Sequence, residues 1–228
     1  MRNSYIYLQK TNIAFIIGKK LYLIKDKKFF MATSKSQRYI ACDIGNVCVH
    51  INRPKFIAAL KEYLLVDESE IWLAQEKMEL GVITGQQFLE EIKLMLKPNS
   101  LSIEEIKFHF YSILDGVIDQ MEELFLLLEQ KNINIVFLSD ISPLHLDAFR
   151  KIFPIACKYE GVYSFEVAGF KPNKEMFGTL IEKYGKPLFY VDDRKDLITA
   201  AQKENWNTCL YTSVDSFIDK LKTLGVID

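Results

Sequence analysis

The sequence predicts an α/β fold, a parallel sheet with helices on both faces plus an inserted all-helical cap. Two observations predict it. From Ile133 onward, short apolar runs alternate with amphipathic helical segments, the pattern of strands joined by helical crossovers. One further strand-like run, Tyr39–Cys42, stands far upstream, and only helical periodicity lies between. At 228 residues the chain accommodates one large core with an insert.

Residues 1–36 read as an amino-terminal extension. Asn12–Ile17 and Leu21–Ile24 are short apolar runs separated by Gly18-Lys19-Lys20, a small hairpin pattern. They are too short to span a bilayer, and no small-residue cleavage site follows them. Met31 stands just ahead of a polar segment, and the expectation is that the chain before it is dispensable, with Met31 as the natural start. Residues 38–50 and 132–228 then form the α/β core, with 51–131 as the helical insert.

The opening strand ends abruptly in Asp43, followed by Ile44, Gly45 and Asn46. A carboxylate delivered into a turn at a strand's carboxyl end lies where open α/β sheets bind ligands, although turn chemistry alone also favours Asp there. Asn52-Arg53-Pro54 opens the insert as a helix start with Pro in its first turn. Asp67 with Glu70, Thr84 with Gln87 and Ser102 with Glu105 each have capping-box spacing. Helices are expected near 53–65, 68–80, 84–96, 102–115 and 119–131, with no strand among them. Trp72, Met78 and Phe88 read as the insert's own core in preference to a substrate pocket.

Beyond the insert, Ile133–Leu138 is a strand, Pro143–Ile152 a helix and Tyr163–Phe165 a short strand. Asn173–Tyr184, Leu188–Val191, Asp196–Glu204, Thr208–Tyr211 and Asp215–Leu224 continue the alternation as helix, strand, helix, strand and helix. Two of these strands end in polar residues, Ser139-Asp140 and Asp192-Asp193, and Lys171 sits in a loop before a helix. Carboxylates gathered at one sheet edge concentrate negative charge, which a cation relieves. All-oxygen ligands favour Mg²⁺.

Composition excludes several alternatives. A net charge of −1 gives no support for nucleic-acid or anionic-membrane binding. Cys42, Cys48, Cys157 and Cys209 form no C-x-x-C pair, so they read as thiols of a reducing cytosol, with Cys42 and Cys48 as core packing. His50, His109 and His145 have no zinc-site spacing.

The ordered set is specific. Asp43 in D-x-G-N-V, Ser139 at a strand end, Lys171 in G-x-K-P and D-D-R-x-x-D from Asp192 resemble the haloacid dehalogenase (HAD) superfamily. The resemblance is to its helical-cap subfamily, which includes sugar-phosphate phosphatases. Glu79-Leu80-Gly81-Val82-Ile83-Thr84 followed by Phe88 resembles the cap signature, and the likeness covers roughly residues 38–215. It implies a Rossmann-like core and a Mg²⁺-dependent phosphatase acting on a small phosphate ester through an aspartyl-phosphate. It also implies roles: Asp43 as nucleophile, Ser139, Asp140 and Lys171 at the phosphoryl group, and Asp43, Gly45 (by its carbonyl), Asp192 and Asp193 at the metal. Asp196 is implied as the residue orienting Lys171 or a metal-bound water. His145 matches a histidine of the family and equally a histidine of a helix core face.

Gly45 departs from the family, which usually has an acid–base aspartate there. General acid–base help is worth roughly 10²–10⁴-fold, so its loss falls hardest on poor leaving groups. Asp196 and His50 are candidates to supply the proton. Asp140 stands where relatives usually have Asn, and Arg194 is its expected partner. Haloacid dehalogenation would use the same nucleophile without a metal, and the Asp192-Asp193 pair argues against it. Gly45 and Asp140 also fit a silent fold kept for binding.

Overall fold

The computed structural model describes residues 6–9, 12–17, 20–24 and 38–227. Strands β1 (Ile6–Gln9), β2 (Asn12–Ile17) and β3 (Lys20–Ile24) form an antiparallel sheet within the amino-terminal unit. The expected hairpin is thus β2–β3, extended by a third strand. Met31 lies outside the described residues.

The second unit, from residue 37, contains the α/β architecture. Its first strand is β4 (Tyr39–Cys42), followed by β5 (Val49–Ile51) and helices α1 (Arg53–Leu60), α2 (Glu68–Glu79), α3 (Gly85–Leu94) and α4 (Ile103–Tyr111). Strand β6 (Leu114–Val117) and helix α5 (Met121–Gln130) lead back to β7 (Asn134–Ser139). Then come α6 (Pro143–Ile152), β8 (Glu160–Tyr163), α7 (Ser164–Val167), α8 (Lys174–Tyr184), β9 (Phe189–Asp192), α9 (Lys195–Lys203), β10 (Thr208–Leu210) and α10 (Val214–Thr223). No helix among the described residues is long and apolar enough to cross a membrane.

The sheet order is β10-β9-β4-β7-β8, all parallel. Alternate residues of each strand face opposite layers, because the side-chain period of a strand is two. Ile40, Cys42, Phe137, Phe189 and Val191 face a layer with Phe125, Phe149 and Phe217. Tyr39, Ala41, Leu138 and Tyr190 face the other, with Met176, Leu180 and Leu197. Cys42 and Cys48 are buried in the first layer as thiols.

The insert has its own apolar cluster, built around Phe56, Ile71, Met78, Phe88, Ile92 and Phe110. Met78 and Phe88 are fully buried there, and Trp72 packs at its margin. Thr84–Gln87 and Ser102–Glu105 are complete capping boxes, with both reciprocal hydrogen bonds made. Asp67 caps α2 differently: its carboxylate accepts from the Ser69 amide, and Glu70 makes no return bond.

The expectation of helix throughout 51–131 is corrected at two places. Leu114–Val117 is a strand, antiparallel to Val49–Ile51, so a two-stranded ribbon ties the start of the insert to its end. Helix α5 buries Met121, Leu124, Phe125 and Leu128 in the cluster of the sheet, not that of the insert. The short strand falls earlier than expected, at Glu160–Tyr163, and Ser164–Val167 turns helical after it.

Two of the contacts between the insert and the core are close stacking or backbone approaches. His145 of α6 stacks on Phe110 of α4, with ring centroids 4.0 Å apart, and its Nε2 lies 3.0 Å from the Phe110 carbonyl. Gly81 follows α2 with φ +70°, and a Cβ there would stand 2.2 Å from the Phe165 carbonyl oxygen. Only glycine combines that backbone with that approach. Gly81→Ala is therefore expected to lower the unfolding free energy by roughly 1–3 kcal/mol, the range for such backbone strain, with a lower denaturant midpoint in urea titration as the check.

Candidate active site

The site forms where β4, β7 and β9 end together. Cys42 is in register with Phe137 on one side and Val191 on the other, so Asp43, Ser139 and Asp192 emerge along one edge. The Asp43 amide donates to the Val191 carbonyl at 3.0 Å, which carries the pairing one residue past the strand. Asp192 follows Tyr190 by two residues and so faces the same layer. Helix α8 packs on that layer through Met176, Phe177 and Leu180, and the loop before it carries Lys171.

Lys171 is the centre of the cluster. Its side chain is 2% exposed; Nζ lies 2.7 Å from Asp192 Oδ2 and 2.9 Å from Asp43 Oδ1. Burial works against its charge, yet Asp43, Asp192 and Asp140 together hold the ammonium above its usual range. Asp43 is pushed up to about 7, by burial first and by Asp192 second, against the pull of Lys171 and of the Ser139 hydroxyl. One ammonium shared by two carboxylates leaves a surplus of negative charge. Asp193, half-buried, is also raised by burial, and its Oδ2 accepts from Asn46 Nδ2 at 3.1 Å. One oxygen from each of Asp43, Asp192 and Asp193 lies within 4.8 Å of the others. Gly45 lines the same cavity, as does Ser139.

Asp192 is heavily committed. Oδ2 accepts from Lys171 and from the Tyr190 hydroxyl, and Oδ1 accepts the Arg194 amide at 2.8 Å. Only Oδ1 keeps a lone pair for anything else. Asp140 turns to the lysine loop: its Oδ1 accepts the Lys171 amide at 2.8 Å, and Arg194 Nη1 stands 3.9 Å from Oδ2. Asp196 does not orient Lys171. It sits exposed in the first turn of α9 and pairs with Arg194 at 2.7 Å, so Asp192 and Asp140 hold the lysine in its place. His50 is exposed on β5 and, like Asp196, does not line the cavity.

The cavity over these residues is about 430 Å³ and is lined on the insert's side by Arg53, Gln75, Glu79, Ile113 and Leu114. Gln75, Glu79 and Tyr190 were not anticipated as site residues. Tyr190 had a signal, since a residue two before a strand-end acid shares its face. Gln75 had only its i, i+4 spacing from Glu79 on α2, which marks a common helix face without saying what that face meets, and Glu79 opened the cap-signature likeness without a role attached to it.

Removing the shared cation leaves two buried carboxylates facing each other. Lys171→Met is expected to destabilise the fold by roughly 3–5 kcal/mol at pH 8, as breaking a buried ion pair does. The deficit shrinks toward pH 5. A carboxyl whose folded pKa lies above its unfolded value, as with Asp43, contributes stability at low pH that is lost as pH rises through the folded value. Urea denaturation of both proteins across that range is the check; a deficit that grows on acidification would contradict it.

No family model matches the chain, and no curated protein sequence matches it. Solved structures do. A HAD family enzyme from Bacteroides thetaiotaomicron superposes with a TM-score of 0.67 at 23% identity, covering 77% of this chain and 94% of that one. The same enzyme, wild type and in complex with magnesium and inorganic phosphate, gives 0.66 at 23% identity, covering 77% and 94%. A predicted HAD-like family hydrolase from Porphyromonas gingivalis gives 0.67 at 20% identity, covering 84% and 98%. The chain thus has the fold of the HAD family enzymes.

Proposed function

We propose that the protein is a Mg²⁺-dependent phosphatase that hydrolyses a small phosphate ester through an aspartyl-phosphate on Asp43. One observation carries this reading: a buried lysine bridges Asp43 and Asp192 at the sheet edge, at a cavity that the insert also lines. The complex of the Bacteroides enzyme with magnesium and inorganic phosphate supports it.

The donor set fits a hard divalent cation. Three carboxylates converge with one lysine between two of them, and burial raises Asp43 and Asp193, which a divalent charge would reverse. Asp43, the Gly45 carbonyl and Asp193 would hold the ion, with Asp192 sharing through Oδ1. The ion would orient the phosphate and neutralise charge that develops on its oxygens. Asp43 attacks phosphorus in line with the ester oxygen, and a covalent intermediate splits one hard displacement into two. Lys171 and the Ser139 hydroxyl face the transferring oxygens. Asp140 and Asp192 fix Lys171 from its backbone and from its ammonium, so little reorganisation is needed as charge shifts. Asn46 holds Asp193 and also accepts the Ile51 amide at 3.1 Å, which ties the metal-side carboxylate to the start of the insert.

The substrate is a phosphorylated small molecule of sugar-phosphate size. A cavity of about 430 Å³ suits one. Arg53, Gln75 and Glu79, which line it from the insert, offer polar partners to hydroxyl groups, and Ile113 and Leu114 add apolar surface.

Phosphate release with Mg²⁺, measured across sugar phosphates, nucleotides and an aryl phosphate, tests the reading. EDTA is expected to abolish release, and Asp43→Asn to lower it by roughly 10⁴-fold or more. Release that ignores EDTA, or survives Asp43→Asn, would overturn the mechanism.

A further inference from the structure

Cleavage of an alkyl phosphate expels an alkoxide, which needs a proton as the P–O bond breaks, and the second half-reaction needs water to lose one. Gly45 offers no side chain for either transfer. The other titratable groups at the cavity are committed elsewhere. Lys171 is held between Asp43 and Asp192, and Asp140 accepts the Lys171 amide. Asp193 belongs to the carboxylate cluster and is bonded by Asn46. His145 has its Nε2 on the Phe110 carbonyl and its ring stacked on Phe110. Burial pulls its pKa down to about 4, so it holds no spare proton near neutrality.

Glu79 remains. It is the last residue of α2 and lines, from the insert, the same cavity that Asp43, Ser139 and Lys171 line from the sheet edge. Its position is fixed twice. Gly81, two residues on, is pressed against the Phe165 backbone. Gln75, one turn back and 4% exposed, donates from Nε2 to Glu79 Oε1 at 2.6 Å. The Gln75 Oε1 is buried without a hydrogen-bond partner. Turned over, the same amide presents that oxygen to a protonated Glu79. One neighbour can thus serve the carboxylate as donor and the carboxylic acid as acceptor.

We propose that Glu79 is the catalytic acid and base of the reaction, resting on the phosphatase reading above. In the first half-reaction Asp43 Oδ bonds to phosphorus, the ester P–O bond breaks, and the Glu79 carboxyl gives its proton to the departing oxygen. In the second, the Glu79 carboxylate takes a proton from water as that water bonds to phosphorus and the aspartyl P–O bond breaks. Inorganic phosphate, the alcohol, free Asp43 and protonated Glu79 result. Burial raises Glu79 to about 7; Asp140 and Glu76 add to the rise, and Gln75 and Arg53 oppose it. A group that titrates near neutrality can serve in both directions.

Single-turnover release of the leaving group tests this, with Glu79→Gln and wild type each given an alkyl phosphate and 4-nitrophenyl phosphate. Alcohol release from the alkyl ester is expected to fall roughly 10²–10⁴-fold in the variant, while nitrophenolate release stays within about threefold. The variant should then stall as phospho-enzyme, seen as one added phosphoryl group in the intact mass after acid quench. Equal losses on both esters, or no loss on the alkyl ester, would overturn the role of Glu79 alone, provided Asp43→Asn still abolishes wild-type turnover. A wild type that hydrolyses neither ester would overturn the phosphatase reading and this role with it. Thermal melting verifies that Glu79→Gln folds; if it does not, Glu79→Asp carries the comparison, with the same direction and a smaller gap between the esters.

Discussion

The site depends on one buried cation. Lys171 reaches between Asp43 and Asp192 from a loop outside the sheet, and without it two buried carboxyl groups would face each other with no shared cation. The surrounding groups serve this arrangement. The Tyr190 hydroxyl is held well above its usual pKa by burial and by Asp192, so it remains a donor to the carboxylate that anchors the lysine. Asp140 secures the lysine's backbone, and Arg194 lies near Asp140 while pairing with Asp196. The charges form a graded series, fully buried around Lys171 and increasingly wet toward Arg194 and Asp196.

The insert completes what the sheet edge begins. The edge supplies carboxylates, a lysine and a hydroxyl, but it is open on one side. Helix α2 and the chain around Ile113 and Leu114 cover it with a mixed polar and apolar roof. That roof is positioned through close packing, with His145 stacked on Phe110 and Gly81 seated against Phe165, in place of a network of exposed ion pairs. Exposed ion pairs contribute little fixed geometry, whereas close packing allows few alternative arrangements.

Much of this was legible in the sequence. Asp43, Ser139 and the Asp192-Asp193 pair could be found because apolar runs ending in polar residues mark strand ends, and a parallel sheet gathers such ends. Thr84 and Ser102 announced helices because a capping box is a local interaction read within four residues. What escaped was non-local. Strand β6 has four residues and pairs with a segment more than sixty positions upstream, so helical periodicity on its flank masked it. Helix α5 looked like its neighbours because an amphipathic helix does not record which core it faces. The pairing of Asp196 escaped for a related reason: its spacing from Asp193 matched a pattern, but the first turn of α9 leaves it exposed and paired with Arg194 in place of Lys171. Glu79 stood in the cap-signature likeness, but nothing in the sequence said that it would line the same cavity as Asp43.

The β5–β6 ribbon has a consequence for how the molecule is assembled. Ile51 and Leu114 are partners in it, so residues 52–113 leave the core and return to nearly the same point. The entropy of closing that excursion grows only slowly with its length, and the ribbon fixes its ends whatever lies between them. The insert has a separate apolar cluster. The segment is therefore modular: its helices can be lengthened, repacked or exchanged while the sheet edge keeps its geometry. The sheet edge and the parts of the insert away from Glu79 can then change independently.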